Sequence, residues 1–226
     1  MNLALATFSN GISAIRNIFP IYDHLANDLR LPTEVTSDIL RSQIVYAVSA
    51  LDRLIHELVR IGIIEIINGQ RLPTNKFQNH PFKASTLMSV MASLKSGTTP
   101  MSPEEVPEFL INREVSEKLG FLAFHAPDKV KDGLSYIWNE SHKMVVLAKE
   151  MGLSGPTDND KQLLLEQTLQ LIATRRNQIA HEDDFDSMTN GRRAITRNMV
   201  NYSVDFIEKL GNSIYRCVTS PSCMII

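Results

Sequence analysis

The stretch TRRNQIAHEDDFD, residues 174–186, gathers two arginines, one histidine and four carboxylates within thirteen positions. Each residue type brings its own chemistry. The guanidinium of an arginine keeps its charge and presents a planar fork that matches carboxylate or phosphate. A histidine takes or gives a proton near neutral pH. Closely set carboxylates can hold a hard cation through oxygen. Anion binding by Arg176, proton transfer by His181 and oxygen ligation by Asp183, Asp184 and Asp186 are therefore the three chemistries to weigh. No distant partner motif accompanies the acids, so ligation is the weakest of the three.

Periodicity singles out Arg176. Leu165, Leu169, Ile172, Arg176 and Ile179 follow steps of four, three, four and three, which puts them on one helix face. The arginine stands where a leucine is expected. An unpaired guanidinium in an apolar setting is expensive, so it needs a carboxylate, a partner subunit or an anionic ligand. The structural alternative is a buried ion pair to Asp52 or Glu57 that ties two helices together. The acids that follow oppose the helix dipole at a C-terminus. The helix should therefore end near His181, with the acids in a turn or paired with Arg175, Arg192 and Arg193. In a straight helix, positions five apart point about 140° away from each other. Arg176 and His181 then meet only if the helix bends at Ala180, or if a neighbouring subunit supplies the missing half.

The elements that must position these residues read as helices, since apolar spacing is helical almost throughout. A first helix is expected over residues 2–28 and a long one over 34–67, with Ile44, Val48, Leu51, Ile55, Leu58 and Ile61 on its apolar face and Asp52, Arg53, His56, Glu57 and Arg60 on its polar one. NGQRLPTNKFQNHPFK reads as a loop. MSPEEVPEF reads as a helix start, with Ser102 as cap, Pro103 at the first position and Glu105 closing a capping box. A helix from APDKVKDGLSYIW should run to Gly152. SGPTDNDK caps the motif helix through Thr157, Asp158 or Asn159, and a last helix spans about 192–217. His56 one turn after Asp52 suggests a local hydrogen bond. His24, His80, His125 and His142 share no ligand spacing and read as structural or solvent-facing. Trp138, Tyr136 and the phenylalanines read as core. The expectation is one all-α helical bundle over residues 1–226, with long antiparallel helices and a variable, insertion-like region over 70–125.

Composition bounds the function from outside. A formal net charge of -2 gives no general attraction to nucleic acid, so any such contact needs a local basic patch. Two cysteines without a C-x-x-C pair fit a reducing cytoplasm and argue against a disulfide scaffold or a structural zinc. The N-terminus lacks the pattern of a signal peptide. RIGIIEIING is too short, and broken by Glu65, to span a membrane. The last four residues, CMII, match a prenylation box but have no polybasic run before them.

RRNQIAH also matches the R-x(4–6)-H signature of the HEPN superfamily (higher eukaryotes and prokaryotes nucleotide-binding), and Asn177 after the arginine fits the polar residue favoured there. With IVYAVSALDRLIHELV in the long helix and RRNQIAHEDDFDSMTNGRRAIT before the last one, the chain resembles the RiboL-PSP branch of HEPN proteins over about residues 40–215. The resemblance implies an endoribonuclease that needs no metal or cofactor, in which a ribose 2′-hydroxyl attacks the adjacent phosphate. It implies His181 as general acid or base, Arg176 as the cation for the phosphoryl oxygens and Asn177 as a positioning group. Arg175, Arg192, Arg193 and Arg197 are candidates to hold the RNA backbone; neutralising the nearby acids is the other reading of these arginines. One histidine per chain does not easily serve as both acid and base, so the resemblance implies a homodimer with a composite site. An antitoxin or sensor protein is a candidate partner in a toxin or antiviral defence role. The rival reading is a non-catalytic dimer of the same fold that binds a nucleotide or a protein.

Overall fold

In chain order the helices are α1 (Asn2–Arg16), α2 (Phe19–Asp23), α3 (Thr33–Ile67), α4 (Asn75–Gln78), α5 (Ala84–Ser96), α6 (Pro127–Leu134), α7 (Lys143–Glu150), α8 (Asp158–Glu182) and α9 (Arg197–Val218). The structure, a computed structural model, describes residues 1–81, 83–96, 112–114, 117 and 123–224. Among the described residues the strands are β1 (Phe185–Asp186) and β2 (Gly191–Arg192), one short antiparallel ladder, so the fold is all-α.

Helix α3 is the hub. Leu40, Ile44, Val48, Leu51, Leu54, Ile55, Leu58 and Val59 are all buried, a spread of positions wider than one stripe. A helix apolar on several sides requires several neighbours. It has them in α1, α8 and α9, with α7 packed on both α8 and α9. Phe8, Ile12 and Ile15 of α1 and Val204, Ile207, Leu210 and Ile214 of α9 complete this core. At Gly211 of α9 a Cβ would run into the Phe8 ring, so glycine is what lets α9 and α1 approach there.

Hydrogen bonds fix the helix directions. Gln43 near the start of α3 donates to the Ile15 carbonyl at the end of α1 (3.0 Å), and Arg71 beyond α3 reaches Met1 Sδ (3.5 Å). Helix α1 therefore runs against α3. Arg41 donates to the Arg193 carbonyl before α9 (2.9 Å), and Arg71 to the Val218 carbonyl at its end (2.9 Å). Helices α3 and α9 thus run in the same direction. Helix α8 runs back against both, since Asp184 just after it meets Arg41 (2.7 Å) while its first residue, Asp158, meets Lys149 of α7 (2.6 Å).

Several boundaries differ from the sequence expectation. The first helix does not run unbroken over 2–28: α1 stops at Arg16, because Pro20 has no N–H to donate and its ring clashes with the carbonyl four residues back. A single π-helical turn, His24–Asp28, follows α2. The segment expected to continue to Gly152 is two helices, α6 and α7. Between them the Glu140 carboxylate accepts from the His142 amide (2.7 Å) and turns the chain. Gly152 does stop α7, with a positive φ of 62°. The loop at 70–80 contains the short α4, capped by Thr74, whose Oγ1 accepts from the Phe77 amide (3.1 Å). The last helix begins at Arg197 under a Thr196 cap rather than near Arg192, which lies on β2. The helix start expected at Ser102, Pro103 and Glu105 lies outside the described residues.

Candidate active site

Helix α8 carries the motif and is anchored at both ends. At its start the Thr157 amide donates to Asp160 Oδ2 (2.9 Å) and Thr157 Oγ1 accepts from the Asp160 amide (3.2 Å), which satisfies two otherwise orphaned donors. Leu165, Leu169 and Ile172 are buried against the core, as the periodicity requires. Arg176 and Ile179 are half-buried on the same face. The helix continues through Glu182 without a bend at Ala180. It ends where Asp183 and Asp184 adopt left-handed φ values of 52° and 57° and the Asp184 amide donates to the Gln178 carbonyl (2.9 Å).

Three of the four acids after the motif are committed to arginines. Asp184 is fully buried and accepts from Arg41 Nε (2.7 Å) and Arg175 Nη2 (2.8 Å), and the Arg193 carbonyl accepts from Arg41 Nη2 and Arg175 Nη2. Asp183 pairs with Arg192 (2.6 Å), and Glu182 with Arg193 (3.4 Å). Asp186 accepts from the Met188 amide (3.0 Å). Among the described residues no group of three or more His, Cys, Asp or Glu is placed to hold a metal ion. EDDFD is thus the stop of α8 and the partner of nearby arginines.

Arg176 differs from the arginines around it in having no carboxylate partner among the described residues. Its Nη1 donates to Asn177 Oδ1 (3.0 Å), while its Nε, like that of Arg175, is buried with no hydrogen-bond partner. The ion pair to Asp52 or Glu57 that would have explained it is not made. Asp52 accepts from the Phe124 amide and lies 3.7 Å from His56 Nε2, while Glu57 pairs with Arg60 (2.9 Å). Among the described residues no carboxylate pairs with Arg176, whereas Arg175, Arg193 and Arg197 each have one and Arg192 has two. For Arg197 it is Asp23 (2.8 Å).

Sequence reasoning missed His125. Phe124 is buried, pinned by its amide to Asp52 and packed on the His56 ring at a centroid distance of 4.6 Å. That anchor delivers the next residue, His125, to Arg176 and Asn177 on α8. Burial and the Arg176 charge push the His125 imidazole below the ordinary histidine range; Asp52 and the Asn177 side chain oppose them without cancelling them. No local pattern signals this, because His125 is about fifty residues from the motif and lies on an irregular segment.

His181 is exposed. With α8 straight, it sits about 7.5 Å further along the axis than Arg176 and about 140° around it. The structure therefore gathers Arg176, Asn177, His125, Asp52 and His56 at one place, and His181 lies one helical turn after Asn177 of that group.

The family model for RiboL-PSP-HEPN matches residues 10–220. No curated protein and no solved structure matches the chain. HEPN domains are all-α, commonly dimerise and bind RNA, and are often ribonucleases. A helical bundle that presents RRNQIAH on a core helix, matched over nearly its whole length, belongs to the RiboL-PSP-HEPN family.

Proposed function

We propose that this protein is a metal-independent endoribonuclease that cleaves RNA by attack of a 2′-hydroxyl on the adjacent phosphate, and that it acts as a toxin or antiviral defence effector. The observation that carries this reading is Arg176, a half-buried cation on a core-facing stripe with no carboxylate to neutralise it. Such a guanidinium is ready to receive a phosphate, and its fixed donors suit the charge that builds on the phosphoryl oxygens. Asn177, which accepts from Arg176, steadies that fork.

His181 is the proton donor to the leaving 5′-oxygen. Its position on α8 argues for a homodimer in which the partner subunit's His181 faces Arg176. Arg192, Arg193 and Arg197 contact the RNA backbone by exchanging carboxylate for phosphate, and Arg175 supports them through Asp184. An antitoxin or sensor protein is the natural restraint on such an activity.

One observation favours a second reading. An exposed His181, five positions after Arg176 on the same helix, also suits a non-catalytic dimer that binds a nucleotide or protein through the arginine alone. Product chemistry separates the two. The enzyme leaves fragments with 2′,3′-cyclic phosphate and 5′-hydroxyl ends. Fragments with 3′-hydroxyl and 5′-phosphate ends would contradict the mechanism, and intact RNA would leave only binding.

A further inference from the structure

We propose that His125 is the general base for the 2′-hydroxyl, acting beside Arg176 of its own protomer. The inference rests on the ribonuclease reading and assigns a group which that reading leaves unfilled. A single motif histidine cannot be base and acid in one step, and the fold brings a second imidazole to the arginine.

Three groups act on His125. Arg176 and Asn177 come from α8, with Asn177 in side-chain hydrogen-bond contact, and Asp52 comes from α3, where it also binds the amide of the preceding Phe124. His56 is engaged with the Phe124 ring and Asp52, which leaves His125 as the imidazole beside the guanidinium. A phosphate on Arg176 would place its neighbouring ribose within reach of that ring. Phe124 fixes the placement: its ring is buried, its amide is bound by Asp52, and a Cβ at Gly133 of α6 would clash with it at 2.8 Å. A base must be unprotonated at working pH, and the burial and cationic neighbour that keep this imidazole neutral suit that task.

The step balances. The 2′-O–H bond breaks and its proton goes to His125, while the freed electron pair forms the bond from oxygen to phosphorus. The P–O5′ bond breaks with its pair going to the 5′-oxygen, which takes a proton from the partner subunit's His181. Arg176 holds the non-bridging oxygens throughout. Exchange with water then returns His125 to its neutral form and His181 to its charged one.

The test uses full-length protein and RNA whose scissile 5′-oxygen is replaced by sulfur, a leaving group that needs no acid. On ordinary RNA, His125→Asn and His181→Ala should each slow cleavage by about 10²–10⁴-fold. On the sulfur substrate His181→Ala should recover, while His125→Asn stays slow. Circular dichroism checks that the variants keep their helix content. An NMR titration of the wild-type protein provides a readout independent of any His125 variant: the His125 ring should titrate below an ordinary histidine, and it should move up in Arg176→Ala. Wild-type cleavage by His125→Asn, its recovery on the sulfur substrate, or an ordinary His125 titration would overturn this inference alone. A wild-type protein that cleaves neither substrate would overturn the ribonuclease reading and this assignment with it.

Discussion

Arg176 and His125 show two ways in which a candidate site residue can be encoded. The arginine was legible because it breaks a pattern: four apolar residues at helical spacing predicted a fifth, and the charge stands in its place. The histidine was not legible, because its position depends on Asp52 gripping the Phe124 amide from another helix. The buried Arg71 was missed for the same reason. It donates to carbonyls of Ile137 and Val218 that only the folded chain brings to it. Arg176→Lys keeps the charge but loses the fork, so it should restore only a small part of the activity that Arg176→Ala loses, as measured by initial rates. His125 makes a pH prediction. The fold favours its neutral form, so as pH falls the unfolded chain protonates first. Its contribution to stability is full above the unfolded-state value of about 6.5 and is lost as pH drops from there through the lower folded value. Urea midpoints at about pH 7 and about pH 5 should therefore fall further apart in the wild type than in His125→Gln.

Helix α8 works because its C-terminal end is held by a buried charge cluster. Arg41 and Arg175 converge on Asp184, with Arg41 5% and Asp184 0% exposed at the side chain. Removing the carboxylate takes the closest acidic partner from a buried guanidinium, Arg41, and a half-buried one, Arg175. Asp184→Ala should therefore cost about 3–5 kcal/mol by equilibrium urea denaturation, far more than a surface ion pair would. A loss below about 1 kcal/mol would show that the cluster is not structural. The long helices were legible from periodicity alone, and the start of α8 only as one of Thr157, Asp158 or Asn159; the capping box that selects Thr157 is seen in the fold. The misplaced boundaries share a cause. At Arg16, at Leu134 and before Arg197 the chain stops through specific turns, while the apolar spacing on either side continues as if the helix did too. Periodicity reports which residues are buried and does not report where a backbone turns.

At the scale of the whole molecule, a site divided between Arg176 and His181 predicts a division between subunits. Helix α8 exposes Leu164 and Leu171, seven residues apart on one face. Mixing Arg176→Ala with His181→Ala should restore activity, because one site of each heterodimer then has both native residues. Random pairing gives about a quarter of the wild-type rate. Mixtures as inactive as their parents would place both residues in one chain. The most direct measurement is incubation of the purified protein with mixed RNA in EDTA, beside Arg176→Ala. The account predicts cleavage by the wild type at full rate without metal, and a loss of about 10²–10³-fold or more in the variant. Cleavage that EDTA abolishes, or that survives undiminished in Arg176→Ala, would contradict it.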